Sequence, residues 1–188
     1  DLCAAPGGKT AYFAASGGKV TAVDRSKARI LRLKENLDRL QLNAKIIHED
    51  ALSWRPRETA DVVVLDAPCS ATGTARRHPD VLWTKTETDV IKLVDLQRRL
   101  LRAAAEMVAP GGILIFATCS LQPEEGGGHI NGFLQNHSNF SLSPVTSADV
   151  HGLDEVISNP GVFRSLPCHF AFEGGMDGFF AVRFRRDN

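Results

Sequence analysis

The chain is 188 residues long, 43% apolar and 23% charged, which fits one globular domain with a full core and excludes a disordered or collagen-like chain. Lys plus Arg and Asp plus Glu number 22 each, so net charge announces no nucleic-acid partner and any polyanion site must be local. There is no internal repeat, low-complexity tract or apolar run of membrane-spanning length. The chain opens at Asp1-Leu2-Cys3, with no initiator Met and no residues to complete a strand before Gly7-Gly8; this reads as a fragment, a single domain over residues 1–188.

In chain order, a helix is predicted to begin near Lys9-Thr10, and Lys19 to Asp24 reads as a short strand ending on a carboxylate. Ser26 opens a helical pattern through Gln41 with Ile30, Leu33, Leu37 and Leu40 on one face at three- and four-residue steps. Ala44 to Ile47 is a second strand, ending near Asp50. Asp61 to Leu65 is a third, a continuous apolar run of the kind found where both faces of a parallel sheet are covered. An irregular stretch to about Trp83 precedes a helix over Glu87 to Val108, stopped by Pro110-Gly111. Gly112 to Ala117 is a fourth strand, residues 137–177 give no clear element, and Gly178 to Phe184 reads as an antiparallel closing strand at the sheet edge. Alternating strands and crossover helices predict an α/β fold, a doubly wound and mostly parallel sheet.

In such sheets ligands sit outside the carboxyl ends of the strands. Pro6-Gly7-Gly8 lets the backbone turn tightly and approach a ligand, and the helix after it offers free N–H groups. The loop is neither a Walker A motif, because Cys3 stands where its first Gly belongs, nor Gly-x-Gly-x-x-Gly, so a nucleotide triphosphatase is disfavoured. Asp24, at a strand end, is where an acid accepts ribose hydroxyls, and Asp50 is where one can bond an adenine amino group. Together these features describe a pocket for an adenosine ligand without phosphates, and S-adenosylmethionine fits it.

The four cysteines, Cys3, Cys69, Cys119 and Cys168, lack Cys-x-x-Cys spacing, which argues against zinc, and a disulfide framework is out of place in so large a core. Cysteines after strands are most often buried small hydrophobes, but two of these have chemistry beside them. Cys69 follows Asp66 by three residues at one strand end, and Cys119 ends the next strand. Carbon 5 of cytosine is too weak a nucleophile to attack a methyl sulfonium. A thiolate that adds to carbon 6 makes it enamine-like, and loss of the carbon-5 proton later expels the thiol. Such a reaction needs a thiolate, an acidic contact at the ring nitrogen and a base, and the chain has candidates for each.

Asp1-Leu2-Cys3-Ala4-Ala5-Pro6-Gly7-Gly8-Lys9-Thr10, Leu65-Asp66-Ala67-Pro68-Cys69-Ser70-Ala71-Thr72-Gly73, Arg77-His78-Pro79-Asp80, Ala117-Thr118-Cys119-Ser120 with Pro123-Glu124-Glu125, and Asp177-Gly178-Phe179-Phe180 closely resemble, in order, the motifs of the RNA cytosine-5 methyltransferases of the Sun and nucleolar-protein type. The resemblance implies a Rossmann-like class I S-adenosylmethionine-dependent methyltransferase. It implies that Cys119 is the nucleophile and that Cys69 assists release of methylated RNA. It assigns the donor to Cys3, Ala4, Ala5, Pro6, Gly7, Gly8 and Lys9 with Asp24, Asp50 and Asp66, sets Asp66 and Lys9 beside the target base, and lines the RNA path with Arg77 and His78. The substrate it implies is RNA, small-subunit ribosomal RNA first, for a monomeric cytoplasmic enzyme with no metal and no membrane attachment, whose RNA-binding region lies outside this chain.

A transfer-RNA enzyme is the nearest alternative. A DNA cytosine-5 methyltransferase takes the Pro-Cys cysteine as nucleophile, so Thr118-Cys119 disfavours it, and keeping Cys69, Cys119, Asp66 and Lys9 together disfavours an inert RNA-binding assembly domain. The chain departs from the family at Gly126-Gly127-Gly128, where polar helix formers are usual. At about 1 kcal/mol per glycine against alanine, a loose first turn is expected there.

Overall fold

A computed structural model describes residues 1–188. Its helices are α1 (Gly8–Ala15), α2 (Lys27–Leu40), α3 (Val81–Thr84), α4 (Glu87–Ala105) and α5 (Gly128–Asn136). The strands are β1 (Thr21–Asp24), β2 (Lys45–His48), β3 (Ala60–Asp66), β4 (Val108–Thr118), β5 (Phe140–Leu142), β6 (Ile157–Ser158), β7 (Val162–Ser165) and β8 (Phe179–Arg186). β2 pairs parallel with β1, and β3 with β4. Leu2 joins the two pairs through parallel bridges to Val23 and Leu65, its amide donating to the Val64 carbonyl at 2.8 Å. Beyond β4 the sheet turns antiparallel, through β8 to β7 and β6, with β5 also on β8.

The helices cover both faces, as the alternation predicted. On β1 the side chains alternate, and Ala22 packs with Ala11, Leu33 and Leu37 beneath α1 and α2. Its neighbour Val23 packs with Leu65, Leu100 and Leu101 beneath α4. Ser26 caps α2 by accepting from the Arg29 amide, and Gln41 ends it in the left-handed region at φ 55°. Thr86 and Asp89 form a reciprocal capping box on α4, satisfying two amides that the first turn leaves free. No helix is long and apolar enough to cross a membrane.

Several expectations are corrected. α4 ends at Ala105 and not at Val108, because the Met107 carbonyl accepts from Ala60 at 2.8 Å and draws the chain into the sheet. Pro110-Gly111 therefore lies inside β4, where the pairing jumps from Ala60↔Val108 to Val62↔Ile113. Proline has no N–H to give a ladder, so the strand bulges there. β8 is interior, not an edge, because residues 137–177 supply β5, β6 and β7 beyond it. Leu40 and Val62 are exposed, so the apolar face of α2 stops at Leu37 and the covered part of β3 begins at Val63. α5, an element the sequence pattern does not mark, starts at Gly128, with Gly126 and Gly127 between it and a short 3-10 turn over Pro123–Glu125.

Candidate active site

The parallel strands β1 and β3, and β4 beside them, end on the same side of the sheet with Asp24, Asp66 and Thr118-Cys119 at their tips. The chain leaves Leu2 at that edge and turns through Cys3, in the left-handed region at φ 59°, to Gly7 at φ 100°. Gly7 is required twice over. Its φ suits only glycine comfortably, and a Cβ would stand 2.9 Å from Leu33 Cγ.

Asp24 is buried; its Oδ2 accepts from the Ala5 amide at 3.1 Å and its Oδ1 from the Ser26 amide at 2.8 Å. Arg29 reaches over it, with Nη1 3.4 Å from Oδ2, while also donating to the Ala5 carbonyl. A cavity of about 130 Å³ opens beside these groups, lined by Cys3, Val23, Asp24, Asp50, Ala51 and Pro68 among others. Arg25 and Arg29 line it too, but Arg29 is engaged by Asp24 and the Ala5 carbonyl; the apolar side chains and the carboxylates of Asp24 and Asp50 are groups that fit an adenosine moiety. Burial, reinforced by Asp24 and Asp66, pushes the Cys3 thiol up to about 12, which keeps it a neutral part of the wall.

Lys9 Nζ donates to Asp66 Oδ2 at 2.6 Å and stands 5.4 Å from the centroid of the Phe179 ring. Cys69 and Cys119 are both half-buried thiols, their sulfurs 3.5 Å apart. The hydrogen bond from Cys69 lowers the Cys119 thiol below its ordinary value against the opposing effects of burial and Asp66, and Lys9 adds to the lowering. The same bond, with burial, raises Cys69. These opposite directions make Cys119 the readier thiolate of the two.

Gly73 seals the site. Its amide donates to the Cys119 carbonyl at 3.0 Å and its carbonyl accepts from Gly178 at 2.8 Å, and a Cβ there would overlap the Gly178 carbonyl oxygen. Arg77 and His78 are exposed, but Arg77 is not free. Its guanidinium forks onto Asp177, Nε to Oδ2 at 2.8 Å, which ties the loop after Cys69 to the segment before β8.

Of the predicted residues, the segment from Cys3 to Lys9, Asp24, Asp50, Asp66, Cys69 and Cys119 gather at one edge, and Arg77 and His78 lie on the loop beside it. A wider cleft of about 550 Å³, bordered by Pro123, Ile130, Asn159, Pro160 and Phe180 among others, holds none of them. Sequence reading missed Glu125, Gln97 and Arg164. Arg164, on β7, donates to the carbonyls of Ser120 and Leu121, each at 2.8 Å, and so braces the loop that carries Cys119. One signal for Gln97 existed: it interrupts the buried stripe of Leu100, Leu101 and Ala104 on α4, and a polar residue on an apolar stripe has a partner.

The 16S rRNA methyltransferase RsmB/F family matches residues 1–185. Ribosomal RNA small subunit methyltransferase B of Photorhabdus laumondii subsp. laumondii is 43% identical over 191 residues, covering 99% of this chain and 41% of that protein. The protein of the same name from Erwinia tasmaniensis is 45% identical over 188 residues, covering 97% and 41%. The crystal structure of NSun6 from Pyrococcus horikoshii with SFG superposes with a TM-score of 0.82 at 27% identity, over 100% of this chain and 47% of that one. The chain spans about two fifths of the length of the curated relatives it matches.

Proposed function

The chain belongs to the 16S rRNA methyltransferase RsmB/F family, and from that premise we propose that it is the catalytic domain of an enzyme that methylates carbon 5 of a cytosine in small-subunit ribosomal RNA. Its fold is the Rossmann-like class I fold of S-adenosylmethionine-dependent methyltransferases, and S-adenosylmethionine is its cofactor. The segment from Cys3 to Lys9 with Asp24 and Asp50 holds that donor, and Asp66 stands between it and the base.

The observation that carries the reading is the pair of sulfurs of Cys69 and Cys119, 3.5 Å apart, beside the Lys9–Asp66 contact. Cys119 thiolate adds to carbon 6, and the displaced ring electrons make carbon 5 an enamine carbon. Asp66 accepts from the cytosine amino group, and Lys9 steadies the carboxylate and the charge that builds on the ring. The donor supplies an electrophilic methyl group for carbon 5. Water takes the carbon-5 proton, which restores the double bond and expels the Cys119 sulfur as a thiolate, and Cys69 assists that release. Arg77 and His78 flank the RNA strand, Arg77 exchanging part of its hold on Asp177 for phosphate.

The test is methyl transfer from labelled S-adenosylmethionine, with RNA digested to nucleosides. Label in 5-methylcytidine from a small-subunit rRNA transcript, and none from a DNA oligonucleotide of the same sequence, is the expected result. Label in any other nucleoside overturns the proposal.

A further inference from the structure

Glu125 is wholly buried, yet no lysine, arginine or charged histidine neutralises it. A buried carboxylate persists only where donors saturate it, and here four do. Oε1 accepts from the Ser70 amide at 2.9 Å and from Gln97 Nε2 at 3.0 Å. Oε2 accepts from the hydroxyls of Ser70 and Ser120, the latter at 2.6 Å.

The donors' positions are the informative part. Ser70 follows Cys69 and Ser120 follows Cys119, so one carboxylate holds the residue after each thiol. The two hydroxyls also lie 3.0 Å apart. Gln97 extends the hold by donating to the Pro68 carbonyl at 2.8 Å, on the other side of Cys69. The Thr118 hydroxyl donates to the Glu125 carbonyl at 3.0 Å, on the other side of Cys119. Both cysteines are thus flanked on each side by groups that end on Glu125 or Gln97. The charged groups that bear on the thiols from other elements are Lys9, Asp66 and Arg77, which act on Cys119, and Glu125, which opposes ionisation of Cys69.

We propose that Glu125 is the positioning residue of the thiol pair: by holding the residues that follow both cysteines, its buried carboxylate sets the distance between Cys69 and Cys119 and so the sulfur–sulfur contact that leaves Cys119 free to attack. This deepens the cytosine-5 reading given above and rests on it for the role of Cys119. Glutamine at this position has nearly the same shape, but it has no charge and one acceptor oxygen in place of two, so its NH₂ at the Oε2 position would require both serine hydroxyls to turn from donating to accepting and would rearrange the hold on both loops.

The experiment is competitive alkylation with limiting iodoacetamide at pH 7, read by peptide mass spectrometry; it needs neither RNA nor methyl donor, so its failure is distinct from failure of the proposed activity. Two other thiols calibrate it: exposed Cys168 reports full reactivity, and Cys3, half-buried with its thiol pushed up to about 12, reports loosening of the whole domain. In the parent protein Cys119 should react at least about tenfold faster than Cys69, the equivalent of one unit in thiol acidity. In Glu125→Gln that ratio should fall to about threefold or less while Cys3 stays protected. Ser120→Ala, which removes one link and leaves the carboxylate, should lower the ratio in the same direction, and it alone decides should Glu125→Gln not fold. A ratio unchanged in the folded variants, or one that falls only in step with exposure of Cys3, overturns the proposal.

Discussion

Lys9 and Asp66 meet at 2.6 Å across 57 residues of sequence, joining the first turn of α1 to the tip of β3. Their side chains are 38% and 33% exposed, so water screens the pair and its share of stability is at most about 1 kcal/mol. The contact contributes little to the fold but bears on Cys119, and the role proposed for it is in the reaction. Lys9→Met should therefore lower stability in urea by under about 1 kcal/mol but slow methyl transfer by about 10² to 10⁴-fold. A variant that loses stability and retains its rate would remove Lys9 from the reaction.

Asp24 makes a different prediction because its carboxylate is buried and bonded to backbone on both sides. Asp24→Ala should weaken S-adenosylmethionine binding by about 1 to 3 kcal/mol, the loss expected for a charged acceptor. Arg29 touches the same carboxylate from a side chain that is 52% exposed, so Arg29→Ala should change donor affinity by less than about 1 kcal/mol. Calorimetry distinguishes them, and unchanged affinity in Asp24→Ala refutes the pocket.

What could be read in the sequence was what strand ends advertise. Asp24, Asp66 and Cys119 each close a short apolar run, and the carboxyl edge of a parallel sheet collects such residues whatever the details of the crossovers. The glycine loop was legible because tight backbone approach leaves a compositional mark. Glu125 was not, since its partners Ser70 and Gln97 lie 55 and 28 residues away, and nothing local distinguishes it from Glu124 beside it. The antiparallel strands β5, β6 and β7 escaped for a related reason. They are two to four residues long, too short for a period to declare itself, and they owe their existence to pairing that ends on β8.

His129 closes the buried network: its Nε2–H donates to Gln97 Oε1 at 2.9 Å. Burial, helped by Arg98, brings its imidazole down to about 4 from 6.5. Between those values the unfolded chain holds a proton that the folded chain refuses. The histidine's contribution is therefore complete above pH 6.5 and is lost as pH falls toward 4. By pH 5 the loss should be about 2 kcal/mol. Urea melts at pH 7 and pH 5 should show a smaller fall for His129→Gln than for the parent, and equal falls would mean that the ring is already protonated in the fold.

The two thiols give the decisive chemical test, because attack and release leave different residues of the reaction behind. If Cys119 adds to carbon 6, Cys119→Ala abolishes both turnover and any covalent link to RNA, since no enamine forms without the adduct. If Cys69 helps dismantle that adduct, Cys69→Ala still attacks and then stalls, accumulating a protein–RNA species that survives denaturing electrophoresis. Replacing both should leave no adduct, because release is irrelevant where attack never occurs. The 3.5 Å between the sulfurs adds a further expectation: without the Cys69 hydrogen bond Cys119 loses the main cause of its lowered value, so the stalled species should form more slowly at pH 7 than at pH 9. Finding it with Cys119→Ala and not with Cys69→Ala would reverse the roles and give this domain the thiol order of the DNA enzymes.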